Sequence, residues 1–136
     1  SAPIARAFER YNGGDVVIED MEASTVADSI CVGKPRDIVK AVRYVHANGG
    51  DYVTVSDDAI LSSIGELARR TGVFAEPAAA AAYAGLRAYA KTHDLSGKSA
   101  AVMITGNGLK DIASARRTVG EPIVIEPSLD AVKEQL

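Results

Sequence analysis

Seven consecutive residues, Thr105-Gly106-Asn107-Gly108-Leu109-Lys110-Asp111, place a hydroxyl, an amide, an amine and a carboxylate around two glycines. The apolar run Ala-Ala-Val-Met-Ile leads directly into them. A glycine turn behind a strand can cradle phosphate with its backbone N–H groups. The spacing here does not match either common version. A P-loop needs four residues between its first glycine and Gly-Lys-Ser/Thr, and Gly106 and Lys110 do not fit. The dinucleotide pattern G-x-G-x-x-G requires glycine where Asp111 stands. Spacing alone therefore reads as a tight strand-to-helix turn.

Other reactive side chains offer less. Cys31 lies in an apolar stretch and reads as a buried structural thiol. No G-x-S-x-G elbow presents a serine. His46 falls near a helix end, where it would meet the last carbonyls. His93 follows a helix and reads as surface, and Asp57-Asp58 reads as helix capping with Asp57 as the cap. Neither histidine has a cysteine or histidine at ligand spacing, so no metal site is expected. Lys40, Arg43, Arg69 and Arg70 read as solvated helix faces, as do Arg116 and Arg117, although that last pair can meet an anion.

These side chains need elements to hold them. Ile4, Ala5 and Phe8 share a helical face in residues 1–12, stopped by Gly13-Gly14. Residues 15–33 are mixed, a short extended piece and then a loop or short helical turn. Pro35 opens a helix with Ile38, Val39, Val42 and Val45 at helical spacing, closed by Asn48-Gly49-Gly50. Ile60, Leu61, Ile64, Leu67 and Ala68 form a stripe on the next helix, ended by Gly72. Pro77 opens an alanine-rich helix whose small side chains allow close packing. Residues 51–56, 98–105 and 121–125 read as strands, the second apolar on both faces. A short helix over 108–117 and a terminal helix complete the order. Alternating helices and strands predict an α/β fold with a partial parallel sheet flanked by helices. Three strands are few for such a sheet, so further strands are expected outside this chain. In open α/β sheets ligands gather at the carboxyl ends of strands, which makes Thr105 a candidate ligand contact.

The chain has 136 residues, 47% of them apolar and 24% charged, as in one globular domain without internal repeats. A net charge of −3 argues against nucleic acid or an anionic membrane as partner. No apolar run is long enough to span a membrane, and no signal-peptide pattern is present. A single cysteine forms no internal disulfide and points to a reducing, cytoplasmic setting. The chain begins at Ser1 without a methionine, which suggests processing, a tag or a longer parent.

Four stretches together resemble the C-terminal part of threonine synthases, pyridoxal 5'-phosphate enzymes of the tryptophan-synthase-β-like fold. They are SAPIARAFE (1–9), TVADSICVGKPRD (25–37), GVFAEPAAAAAYAGL (72–86) and TGNGLKD (105–111). The second and third occur in variants across the wider fold family, including threonine dehydratases. TGNGLKD discriminates, because dehydratases carry a serine-glycine-rich turn there. The resemblance implies a large cofactor domain and conversion of O-phospho-L-homoserine and water to L-threonine and phosphate. It implies no nucleic-acid or membrane partner and a homodimer in the full enzyme.

It also implies site roles. Thr105 would hydrogen-bond the pyridine nitrogen of the cofactor, and Gly106 and Gly108 would let backbone approach the ring. Ala27 would lie against the ring and Glu76 at its edge. Equally simple structural roles stand beside these, Ala27 as a packing alanine and Glu76 as an acid at a helix start. The family's Schiff-base lysine and glycine-rich phosphate loop lie in an N-terminal part that this chain does not match. Lys110 belongs to the C-terminal motif and is no substitute. Residues 1–136 thus read as a single piece of a larger catalytic region with no catalytic residue of its own, unable to hold the cofactor firmly alone. Rival expectations are cysteate synthase, threonine dehydratase, a split enzyme, or a non-catalytic α/β binding module.

Overall fold

The computed structural model describes residues 2–135. It contains α1 (Pro3–Glu9), α2 (Ile38–Ala47), α3 (Asp57–Thr71), α4 (Pro77–Tyr89), α5 (Ile112–Val119) and α6 (Leu129–Lys133). Single 3₁₀ turns occupy Asp28–Ile30 and Gly108–Lys110.

The expected parallel sheet is not there. Among the described residues the only β pairing is one isolated antiparallel bridge between Ala75 and Asn107. Residues 51–56, 98–105 and 121–125 form no regular element and make no ladder bonds with one another. The strands expected over these three segments do not form: a sheet needs neighbours at hydrogen-bonding distance along both edges, and none lies beside them among the described residues. Only one side chain of each of the first two segments joins the core, Val55 and Ile104. Met103 is 76% exposed and Val124 is 92% exposed, far from the two-sided burial that a continuous apolar run predicts. The observed architecture is helical, with irregular connections.

The helices follow from their sequences. Ser56, not Asp57, caps α3: its hydroxyl accepts from the Ala59 N–H at 3.2 Å. Asp57 and Asp58 in the first turn and Arg69 and Arg70 in the last suit the helix dipole. Gly72, in the left-handed region at φ 73°, ends the helix. Pro77 starts α4 with its φ already set. The expected helix over 108–117 divides into the 3₁₀ turn and α5, whose start Asp111 caps by accepting from the Ser114 N–H at 2.9 Å.

The main core lies between α3 and α4. Ile60, Leu61, Ile64 and Leu67 meet Ala79, Ala80 and Ala84, with Ala27 and Ala75 closing one end. Burying each of the larger aliphatic side chains contributes about 1.5–3 kcal/mol, and the alanines bring the two helix axes close. Glu66 adds polar ties from α3, to Arg87 of α4 at 2.6 Å and Arg70 at 3.0 Å, and it accepts from the Tyr83 hydroxyl at 3.2 Å. A smaller cluster joins α1 and α2 through Ala7, Ile38 and Val42. His46 sits there edge-on to Tyr11, with ring centroids 5.0 Å apart, and not on helix-end carbonyls. Cys31 is partly exposed, not buried. His93 is exposed, stacked on Tyr89.

Candidate functional site

The turn at 105–111 is fixed against the start of α4 by backbone pairing. The Glu76 N–H donates to the Gly106 carbonyl at 3.0 Å, and the Gly108 N–H donates to the Phe74 carbonyl at 2.9 Å. Glu76 itself is extended (φ −68°, ψ 161°), which turns the chain from this bridge into the helix that Pro77 begins. The Asn107 side chain accepts from the Leu109 N–H at 2.9 Å and tightens the 3₁₀ turn behind it.

Both glycines are closely approached by other side chains, and neither has a positive φ. A Cβ on Gly106 would lie 1.8 Å from Glu76 Oε1, and one on Gly108 would lie 2.3 Å from the Phe74 ring. The spaces left by the missing side chains are thus filled by Glu76 and Phe74 of the same chain.

Ala27 approaches from another direction. Asp57 is the anchor, accepting from the Thr25 hydroxyl at 2.5 Å and from the Val26 N–H at 3.1 Å. Thr25 Oγ1 in turn accepts from the Ala27 N–H at 3.2 Å. Ala27 is fully buried in the α3–α4 core. Just beyond it, the Ser29 hydroxyl reaches Glu76 Oε2 at 3.5 Å, the long limit of a hydrogen bond. Lys110 Nζ stands 3.5 Å from the other oxygen, Glu76 Oε1.

These groups border a cleft of about 350 Å³, with Asp28, Ser29, Glu76, Lys110 and Asp111 among its walls. Its charged lining is three carboxylates and one amine. Hydrogen bonds from the Ser114 side chain and backbone hold the Asp111 carboxyl below the usual range, with attraction from Arg117 adding to them. Glu76 is 6% exposed although it opens a helix, and its side chain makes no cap hydrogen bond. It faces Lys110 and Ser29 instead.

Of the four expected site residues, Glu76 and Gly106 are in direct contact, and Ser29 links the Ala27 segment to Glu76. Thr105 is exposed beside Gly106, outside the walls of the cleft, and its hydroxyl has no protein partner among the described residues. A hydroxyl without a protein partner is free to donate to or accept from a ligand. The same cleft does not fit a phosphate, because three carboxylates surround its single amine. Sequence reasoning missed Asp57, Thr25, Ser29 and Phe74. The Asp57 signal was present, since Ser56 already supplies the cap and leaves the first carboxylate of Asp57-Asp58 free for another task. No group of histidine, cysteine or carboxylate side chains suited to a metal ion occurs among the described residues.

Comparison with known proteins follows the same line. The family model described as "Pyridoxal-phosphate dependent enzyme" matches residues 1–106. The threonine synthase of Methanosarcina acetivorans is 33% identical over an alignment covering 100% of this chain and 33% of the relative. That of Methanocaldococcus jannaschii is 34% identical, covering 98% of this chain and 33% of the relative. That of Halalkalibacterium halodurans is 35% identical, covering 86% and 34%. The chain spans about a third of the length of the curated relatives it matches.

Proposed function

Because this chain belongs to the pyridoxal-phosphate dependent enzyme family, we propose that it is the C-terminal part of a threonine synthase. The observation that carries this reading is the coverage: threonine synthases align with 86–100% of the chain and only about a third of themselves. In the full polypeptide the reaction is O-phospho-L-homoserine plus water giving L-threonine plus phosphate. The assembly is a cytoplasmic homodimer. No helix among the described residues is long and apolar enough to cross a membrane.

The cofactor, when bound, supplies an electron sink for the amino-acid substrate. Thr105 binds its ring nitrogen. A neutral hydroxyl at that atom, unlike a carboxylate, does not hold a proton on it. Gly106 and Glu76 lie beside Thr105, and Ala27 acts from behind them, fully buried in the α3–α4 core. The phosphate of the cofactor and the lysine that bonds it belong to the N-terminal part. Both the acidic cleft and the pairing of Lys110 with Glu76 support that division.

The test is product analysis of the full-length polypeptide carrying this sequence. O-phospho-L-homoserine should yield threonine and phosphate in equal amounts. Turnover of threonine or of phosphoserine in its place would assign the chain to a dehydratase or a cysteate synthase. No turnover of any of them would favour a binding module.

A further inference from the structure

Lys110 is the one cation among the residues that wall the cleft, and it stands against a carboxylate that sits directly on the glycine after Thr105. Glu76 is held at three points, one through its backbone and two through its carboxylate. The Glu76 N–H is fixed to the Gly106 carbonyl at 3.0 Å, Ser29 reaches Oε2, and Lys110 reaches Oε1. Glu76 is nearly buried, so its charge is poorly screened, while the Lys110 side chain is 63% exposed and reaches in from the rim. The other charged wall residues, Asp28 and Asp111, are also acidic. Without Lys110 the charged lining of the cleft would be three carboxylates, one of them seated on the glycine next to Thr105.

We propose that Lys110 is a positioning residue that neutralises Glu76 and holds it over Gly106, so that the ring nitrogen bound by Thr105 stays unprotonated. This rests on the cofactor reading above. The role is electrostatic and acts through Glu76. Lys110 bonds neither cofactor nor substrate.

The experiment uses the full-length polypeptide loaded with pyridoxal phosphate labelled with nitrogen-15 in its ring, and reads the nitrogen shift by NMR. The parent should show the shift of an unprotonated pyridine. Lys110→Met should move the signal towards the protonated position, and Lys110→Arg should restore it. The double variant Glu76→Gln with Lys110→Met, which removes both charges, should also return to the parent value. An unchanged shift in Lys110→Met overturns the role of Lys110 while leaving the cofactor reading intact. Failure of the parent to take up pyridoxal phosphate overturns both.

Discussion

Asp57 and Thr25 stand 32 residues apart in sequence and 2.5 Å apart in space, and this one contact ties the loop of Ala27 to the first turn of α3. The same carboxylate takes the Val26 N–H on its second oxygen. A residue that looked like a helix cap therefore works as a clamp on the candidate site.

Replacing Asp57 with alanine removes a charged acceptor from two part-buried donors. Hydrogen bonds to charged groups contribute about 1.5–3 kcal/mol, so Asp57→Ala should cost about 2–3 kcal/mol in the full-length polypeptide, read by thermal unfolding. Asp58→Ala controls for the helix dipole, because Asp58 is exposed and clamps nothing. Thr25→Val should couple to Asp57→Ala in a double-mutant cycle. Equal losses for Asp57→Ala and Asp58→Ala would refute the clamp.

The two glycines of the turn should differ in tolerance. At Gly108 an added methyl meets the Phe74 ring, which packs partly buried against the α3–α4 core, and overpacking of that kind costs about 1–3 kcal/mol. At Gly106 it meets the end of a flexible glutamate, which can swing away. Gly108→Ala should therefore lower the melting temperature more than Gly106→Ala does. Gly106→Ala should instead weaken cofactor retention, measured by absorbance after dialysis. The reverse order of melting temperatures would contradict the geometry.

Asp111 caps α5, and its folded-state pKa is depressed below the usual carboxylate value of 3.8 by hydrogen bonds from Ser114. A depressed carboxylate contributes stability above its unfolded pKa and loses it as pH falls through the folded value. Asp111→Ala should cost about 0.5–2 kcal/mol near neutrality. The difference from the parent should persist down to about pH 4 and shrink in more acidic solution. Denaturant unfolding at a series of pH values measures it, and a difference that grows on acidification would show the sign to be wrong.

The 136-residue chain on its own should bind hydrophobic dyes and associate, because Met103, Ile123 and Val124 are exposed on segments whose backbone makes no ladder bonds. Incubation with pyridoxal phosphate and borohydride should give scattered modification with no single preferred lysine, read by peptide mass mapping. One stoichiometric adduct would mean that the chain holds its own imine lysine.

The helices were legible because their signals are local. The stripe Ile60, Leu61, Ile64 and Leu67 is buried as the period of 3.6 demands, and Pro77 and Gly72 stand at the boundaries their backbone preferences assign. The sheet was misread because apolar β-branched composition reports only that a segment is extended and seeks burial. Whether it finds a partner edge depends on residues far away in sequence, and Val53 and Val124 find none here. Within the site, the resemblance assigns Gly106 and Glu76 each to the cofactor ring, and local pattern assigns them a turn and a helix start. Their contact was hidden, since no local pattern says that one residue's missing side chain makes room for the other's carboxylate.

The clamp at Asp57 and the Ser29–Glu76 contact span 32 and 47 residues. Each must close a long loop before it returns any stability, whereas the hairpin of α3 and α4 closes a short one. The site should accordingly assemble after the helix pair and come apart before it. Addition of pyridoxal phosphate to the refolding full-length polypeptide would then capture only molecules that had completed the last step, making cofactor uptake a clock for the end of folding and not for its beginning.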